Sequence, residues 1–380
     1  MKLSVKYKKK LVNNAILNAF TEGKKLQYSV DKCKKIHIGK TNNICPDLKV
    51  HENTMKSSDK EKYLGDFISS SGKIRENIMS RREKGFGIVS DILSIISEIP
   101  LGKYKVHAGL KLRQAMLING FLHNSEAWSD INMEEIEMLE DVDELLLRNI
   151  FNAHSKTPLE FLHLESGTKP IRFIIASRRL NYLYTILKRN KNELTRRVFE
   201  AQKVETTKGD WIELVKQDCE TIEEEYNETF FTSMSRNKFK KYVKRKIEKA
   251  AFKYLEKIKN KHSKVKHIKY KKLEIQPYIL CEELNNEEVN TLFALRSRMT
   301  RVKMNFSNQY KNNLFCTLGC NRSEDQQHLL ECEHILDRLE DKYSLAEIEY
   351  SDIFGTIQDQ VPITKIFSKI LKIRKDLMEI

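Results

Sequence analysis

The spacing of apolar residues is the feature that most restricts the fold of this chain. From residue 73 onward, apolar side chains recur at steps of three and four residues. In MEEIEMLEDVDELLLRNIF, for example, Ile136, Leu139, Leu146 and Ile150 share one helical face. The 380 residues include only 13 Gly and 6 Pro, so long segments run without a strong helix breaker. The sequence therefore predicts a mainly α protein.

The N-terminal part has a different pattern. Residues 8–22 have the apolar spacing of a helix, whereas residues 26–39, 44–50 and 62–69 alternate over short stretches. We expect a small α/β region with short antiparallel strands, which ends near residue 72.

Two local signals refine the helical part. Residues 74–99 are expected to form either one long helix or a broken pair with the break at Gly85 and Gly87, since glycine weakens a helix interior. Pro170 predicts the start of a helix. We expect a multi-helix array, a basic helical segment, a small Cys/His module and a helical tail, at residues 73–232, 233–312, 313–340 and 341–380.

Positive charge is concentrated in one amphipathic segment. Between Arg236 and Lys272 the chain has 17 Lys and Arg against two Glu, an excess equal to its net charge of +15. Phe239, Val243 and Ile247 belong to one apolar stripe, so we expect a helix with a buried face and a lysine face. Such an excess favours a surface for a polyanion. A solvated lysine face and a helix on a membrane surface have the same pattern.

The candidate nucleic-acid contacts on this segment are cationic residues of the predicted helix. They are Lys240, Lys241, Lys244, Arg245, Lys246, Lys249, Lys253 and Lys257. Among the aromatic residues, we expect Tyr242 and Tyr254 to lie in the core and Phe252 to be free to stack on a base.

Residues 316–332, CTLGCNRSEDQQHLLEC, hold three of the seven cysteines and one histidine. The ligand spacing is Cys316-x3-Cys320-x7-His328-x3-Cys332, which predicts a closed, structural Zn²⁺ site of the Cys3His type. The alternatives are a pair of buried thiols beside an unrelated histidine, and His334 as a substitute ligand.

Local signals suggest how these ligands meet. Ser323 and Gln326 have the spacing of a capping box, so we expect a helix to start at Glu324. His328 and Cys332 would then share one helical face, while Gly319 would allow a turn that joins the first two cysteines.

Motifs of several enzyme classes are absent from the sequence. It has no Gly-rich phosphate loop, no GxSxG, no HExxH and no Asp-Asp dipeptide of the kind that holds two Mg²⁺ ions in a polymerase palm. It also has no run of 18 apolar residues, no secretory signal and an odd number of cysteines. We expect a chain without a complete active site or a membrane partner, located in the nucleus or the cytoplasm.

Several segments resemble the reverse transcriptases of non-LTR (LINE-type) retrotransposons. DKCKKIHIGK and KYLGDFISSSGKIRENIMSRREKG resemble the stretch after the polymerase palm. LRQAMLINGFLHNSEAW and the segment from LEDVDELLLRNIF to RRLNYLYTIL resemble the thumb and post-thumb region. LRSRMTRVKMNFSNQY, followed by the Cys/His module, is similar to the C-terminal module of these proteins. The resemblance covers most of residues 10–335.

The resemblance implies roles for parts of the N-terminal region. Residues 1–72 would be the end of a palm, in which Lys32 matches a lysine near the phosphates of the incoming nucleotide. Tyr63 and Gly65 match the hairpin that holds the primer end, and Lys34 is a further candidate contact. The catalytic Asp-Asp box would precede residue 1, so Mg²⁺ would be needed only where the rest of the palm is present.

Three functions remain open at this point. The first is a truncated, catalytically silent reverse-transcriptase-like protein that binds RNA or an RNA–DNA hybrid without sequence specificity. The alternative is a helical protein-interaction module with a structural zinc site, which would bind a protein partner. The third is an enzyme that is active only where the missing palm and fingers portion is supplied.

Overall fold

A computed structural model describes residues 34–38, 49–50, 53–63, 65–99, 105–205, 208–310, 313–339 and 348–379. The helix predicted at residues 8–22 and the candidate contact Lys32 lie outside these residues. The chain divides into two compact units, Met1–Ser80 and Arg81–Ile380.

The described part of the first unit contains short strand pairs. Strand β2 (Lys49–Val50) pairs antiparallel with β3 (Asn53–Thr54), and β5 (Lys60–Tyr63) pairs antiparallel with β6 (Asp66–Ser69). Strand β1 (Lys34–Lys35) pairs with β4 (Lys56–Ser57), however, and this pair is parallel. The prediction of antiparallel strands is wrong for this pair, because the chain between its strands is long enough for a crossover connection.

Helices form most of the remaining structure, as the sequence predicts. They are α1 (Arg75–Glu98), α2 (Lys105–Leu112), α3 (Asn119–Phe121), α4 (Met133–Ile150), α5 (Leu159–Ser166), α6 (Ile171–Leu187), α7 (Leu194–Val204), α8 (Trp211–Thr221), α9 (Glu228–Ser233), α10 (Arg236–Lys259), α11 (Asn286–Arg296), α12 (Gln326–Glu331), α13 (Glu333–Leu336) and α14 (Ile357–Met378). A π-helical segment, Arg113–Ile118, joins α2 to α3. Short 3-10 turns cover Ser125–Ala127, Pro277–Leu280, Lys303–Phe306 and Tyr350–Phe354.

Helix α1 is continuous, so the single long helix is correct and the alternative with a break at Gly85 and Gly87 is wrong. Gly85 is instead a packing contact. A Cβ atom at this position would lie 2.7 Å from the Phe121 ring and 2.9 Å from Val142 Cγ1. A Cβ atom at Gly87 would meet nothing within 4 Å. The first glycine therefore allows close helix packing, and packing stabilises the helix against its low propensity.

Side chains at the helix starts account for several boundaries. Asn132 accepts a hydrogen bond from the Glu135 amide at 3.1 Å, and Glu135 accepts one from the Asn132 amide at 2.8 Å. This capping box begins α4, and Asn285 with Glu288 begins α11 in the same way. Helix α6 begins directly after Pro170, as predicted.

A hydrophobic core joins α6 to α7, α8, α9 and α10. Its members are buried apolar side chains, namely Phe173, Ala176, Leu180, Leu183, Tyr184, Ile186, Phe199, Trp211, Ile212, Val215, Cys219, Ile222, Phe231, Phe239, Val243, Ile247 and Ala251. The apolar stripe of the basic segment thus packs against the protein body, which leaves the opposite face of α10 to solvent.

A buried polar network holds α5 to α11. The carboxylate of Glu165 lies 2.9 Å from the Arg296 guanidinium and 2.6 Å from the Tyr278 hydroxyl, and it also accepts a hydrogen bond from Tyr270. Arg296 donates in addition to the carbonyl of Ile353 at 2.9 Å. Burial opposes charge on Arg296, but Glu165 more than compensates and holds the pKa of Arg296 above its ordinary value.

The two glycines of α1 allow a matched test of this packing. Alanine raises helix propensity at both positions by about 1 kcal/mol, but at Gly85 it also overpacks the core by about 1–3 kcal/mol. We therefore expect the Gly85→Ala variant to have a free energy of unfolding about 1–3 kcal/mol below that of Gly87→Ala. Urea denaturation followed by circular dichroism measures the difference, and equal midpoints would contradict the packing described above.

The buried network predicts a larger effect. Glu165→Ala leaves the Arg296 charge buried without its partner, which typically costs about 3–5 kcal/mol. The control is Glu137→Ala, on an exposed position of α4, where we expect a change within about 0.5 kcal/mol. Chemical denaturation of the two variants compares these values. A Glu165→Ala protein as stable as the control would show that the ion pair contributes little.

Candidate functional site

The structure brings Cys316, Cys320, His328 and Cys332 together, as the sequence predicts. One ligand atom from each residue lies within 4.8 Å of every other. The Sγ atom of Cys332 is 3.9 Å from that of Cys316 and 3.6 Å from that of Cys320. This group can hold a metal ion.

A tight hairpin over residues 313–324 supplies the first two cysteines. Phe315 and Ser323 form an antiparallel bridge, and the Cys316 amide donates to the Arg322 carbonyl at 2.9 Å. The turn between the cysteines contains Gly319, whose φ is +99°. This left-handed conformation favours glycine, as expected, and it closes the loop so that both sulfurs meet.

The helical side of the site differs from the prediction in two respects. Helix α12 begins at Gln326, and its cap is Asp325, whose carboxylate accepts from the His328 amide at 2.7 Å. Ser323 does not cap this helix because it belongs to the hairpin bridge. Cys332 also lies outside α12, with extended backbone (φ −70°, ψ 114°) between α12 and α13. The two ligands therefore do not share one helical face.

His328 is the most informative member of the group. Both ring nitrogens are buried, and neither has a hydrogen-bond partner among the described residues. A buried polar atom without a partner carries a desolvation cost, which a bound metal ion would remove. His334, the substitute ligand considered from the sequence, is exposed and is not part of the group.

Burial raises the pKa of Cys332 to about 12, and the neighbouring thiols of Cys320 and Cys316 add to this effect. A thiolate is therefore unfavourable at this position unless a cation stabilises it. Because a thiolate is the form that binds metal, occupancy of the group would release a proton from Cys332.

Glu324 anchors the hairpin, a role that the sequence did not reveal. Its buried carboxylate accepts from the Thr317 amide at 2.6 Å and lies 2.6 Å from the Arg374 guanidinium of α14. The Lys303 amide donates to it at 3.3 Å. Burial opposes ionisation, but the hydrogen bonds from Thr317 and the charge of Arg374 hold the pKa of Glu324 below its ordinary value. The Cys316–Cys320 loop is thus fixed to the C-terminal helix.

The predicted cationic contacts lie on α10. The stripe Phe239, Val243, Ile247, Ala251 and Leu255 is buried, and Lys259 at the helix end is buried too. Five cations at four-residue steps occupy the opposite face, and we call them the cation ladder. They are Lys241, Arg245, Lys249, Lys253 and Lys257, all of which are exposed.

Acidic residues that follow α8 neutralise part of this helix. Glu223 lies 2.5 Å from Lys253 and 3.9 Å from Lys249, while Glu224 pairs with the half-buried Lys246. The bond from Lys253 holds the pKa of Glu223 below its ordinary value, so the carboxylate keeps its charge.

The remaining predicted cationic contacts on α10 have a weak ion pair or none. Lys244 lies 4.0 Å from Glu248 with its side chain 74% exposed. Lys240, Lys241, Arg245 and Lys257 form no ion pair with any residue that the structure describes. The uncompensated charge of α10 is therefore concentrated in its first half.

The two tyrosines of α10 pack against the core, as expected. The Tyr254 ring packs edge-to-face on Phe173 with centroids 5.5 Å apart, and Tyr242 packs on Phe230 at 5.7 Å. Phe252 is half-buried, as both tyrosines are, so its role in stacking on a base stays a prediction.

The candidate contacts of the first unit are exposed. Lys34 lies in β1, Tyr63 ends β5, and Gly65 follows in the turn with a φ of +95°. Tyr63 is 65% exposed, so its ring is accessible to a ligand.

In the described part of the chain, every helix is too short or too polar to cross a membrane. Comparisons with protein-family models, with curated proteins and with solved structures find no match to this chain. The fold and the site therefore define a mainly α protein with a Cys3His group that can hold a metal ion.

Proposed function

We propose that this protein binds RNA or an RNA–DNA hybrid without sequence specificity through the exposed face of α10. The observation that carries the proposal is the cation ladder, which lies opposite a fully buried apolar stripe and in which Lys241, Arg245 and Lys257 form no ion pair with a described residue. An α-helix rises 1.5 Å per residue, so successive ladder cations are about 6 Å apart along the axis. A rigid row of cations suits the phosphate backbone, which gives affinity but no sequence readout.

The Cys3His group is, in this proposal, a structural zinc site. Zn–S bonds of about 2.3 Å in a tetrahedron place sulfur atoms about 3.8 Å apart. The two Sγ–Sγ distances of 3.6 and 3.9 Å agree with this value. Four protein ligands leave no open position for substrate, so zinc would fix the hairpin to α12 and α13 rather than catalyse a reaction.

The resemblance to non-LTR reverse transcriptases gives this activity a context. A thumb region grips a template–primer duplex through its backbone, which is the work that a cationic helix can do. In this proposal the chain supplies the thumb-like and Cys/His portions and is not itself the enzyme. Mg²⁺ would belong to a palm, and none is assigned to this chain.

Zinc content tests the metal proposal. We expect purified protein to contain about one zinc per chain, as measured by inductively coupled plasma mass spectrometry. Cys320→Ser should release most of this zinc, because three ligands and a water bind more weakly than four protein ligands. The matched control is Cys281→Ser, since Cys281 lies outside the group and should not affect zinc content. Metal-free wild-type protein with an unchanged melting temperature would contradict a structural zinc site.

Salt dependence tests nucleic-acid binding. A variant with Lys240, Lys241, Lys244 and Arg245 changed to Gln removes four exposed charges from the first half of α10. For single-stranded RNA, the slope of log affinity against log salt should decrease by about 0.7 for each phosphate that the variant no longer neutralises, or up to about 2.8. Fluorescence anisotropy with labelled RNA at several salt concentrations measures this slope.

The matched control removes the same net charge elsewhere. Its substitutions to Gln are at exposed lysines outside α10, namely Lys191, Lys216, Lys369 and Lys372. We expect the control to retain most of the affinity and slope of the wild type. Equal weakening by both variants would show only a general charge effect. No RNA or hybrid binding at low salt would overturn the proposed function and favour a protein-interaction module.

A further inference from the structure

A second group of cations surrounds the ring of Phe306, outside α10. The Lys264 Nζ atom lies 5.0 Å from the ring centroid and the Lys156 Nζ atom 6.0 Å from it. The imidazole of His154 packs against the same ring with centroids 5.0 Å apart. These distances are those of cation–π contacts, which hold the lysine side chains around one aromatic ring. We call this group the Phe306 cluster, and we include Arg298 and Arg301, whose charges act on Lys264 and on His154 respectively.

The charges within the Phe306 cluster have the same sign. Burial lowers the pKa of Lys264, and the neighbouring charges that lower it further are those of Lys156 and Arg298. Burial also lowers the pKa of His154, and Lys156, Lys264 and Arg301 act on it in the same direction. Lys156, Lys264, Arg298 and Arg301 form no ion pair with a residue that the structure describes. Arg148 also acts on His154, but it is paired with Glu144. The four cations without an ion pair repel one another, and a bound anion would relieve this repulsion.

The Phe306 cluster is accessible. Lys156, Arg298 and Arg301 are exposed, and Phe306 is half-buried. Lys264 is held by its hydrogen bond to the carbonyl of Asn305, so its ammonium group has a fixed position. An anion could therefore reach one fixed ammonium group and several exposed cations at once.

Hydrogen bonds connect the Phe306 cluster to α10 and to the Cys/His hairpin, which are the two features of the proposed function. The turn that carries Lys264 follows α10 directly, and the buried Lys259 at the end of α10 donates to the carbonyl of Ile268 in that turn. On the other side, the Asn305 side chain donates to Gln326 at 3.0 Å, and Gln326 begins α12 beside the metal-holding group. The cluster therefore lies between the end of α10 and the Cys/His hairpin.

We propose that the Phe306 cluster is a phosphate-binding site for the polynucleotide strand that also contacts the cation ladder of α10. This inference rests on the proposed function and extends it from one helix to the region of the Cys/His hairpin. The ligand is recognised by its backbone phosphates. Phe306 acts as a positioning residue that keeps Lys156 and Lys264 together.

The test uses the 380-residue chain with Lys156→Gln and Arg301→Gln combined, because both side chains are exposed and their replacement should leave the fold intact. The matched control combines Lys191→Gln and Lys216→Gln, which removes the same charge. The probe is labelled single-stranded RNA about 30 nucleotides long, which exceeds typical single-strand site sizes. Anisotropy is measured over a range of salt concentrations, and circular dichroism verifies the fold of each variant.

We expect the double variant to bind more weakly and its salt slope to be about 1.4 smaller than that of the wild type, with no such change in the control. Photo-crosslinking with thiouridine-containing RNA should label the peptide that contains Phe306. A double variant with wild-type affinity and slope, while the α10 variant binds weakly, would overturn the cluster and leave the proposed function standing. Wild-type protein that binds no RNA would overturn both.

Discussion

The helical array depends on the buried ion pair of Glu165 and Arg296. Removing an ion from water costs several kcal/mol, so the pair is tolerated only because every strong acceptor and donor is satisfied. The hydroxyls of Tyr270 and Tyr278 donate hydrogen bonds to the Glu165 carboxylate, and the Arg296 guanidinium donates one to the carbonyl of Ile353. These partners come from α5, α11, the connection after α10 and the turn before α14. One carboxylate thus fixes the mutual arrangement of four distant chain segments.

The same physical device recurs at the Cys/His hairpin. Glu324 is buried, and its partners are the cysteine loop on one side and Arg374 of α14 on the other. The hairpin is therefore held from two sides, by a bound metal ion in the proposed function and by a carboxylate that needs no metal. Because α14 also packs near the turn that satisfies Arg296, the two buried carboxylates together join the hairpin to the helical array.

The sequence predicted the helices well and the polar anchors poorly, for a physical reason. Apolar periodicity reports which face of a helix is buried, and α4, α6 and α10 follow it closely. It treats acids as solvated residues, so Glu165 and Glu324 gave no signal. The spacing in α4 placed Val142 or Asp143 on the buried face, but it did not reveal the buried pair of Asp143 with Arg113. The ligand set of the Cys/His group was predictable from composition and spacing. The backbone between His328 and Cys332 was not, since the end of α12 depends on tertiary contacts.

Charge was predictable in amount but not in distribution. The excess between Arg236 and Lys272 suggested one uniformly basic helix, yet Glu223 and Glu224 fold back from outside this segment and pair with its middle. Conversely, the Phe306 cluster draws cations from three separate parts of the chain, so no window of sequence could show it. Folding pairs some lysines of the segment with acidic residues, and it brings cations from other parts of the chain together around Phe306. The distribution of exposed positive charge is consequently set by tertiary structure. Among the described residues, cations without an ion pair lie in the first half of α10 and beyond the end of that helix, whereas acidic residues pair with the lysines at its centre.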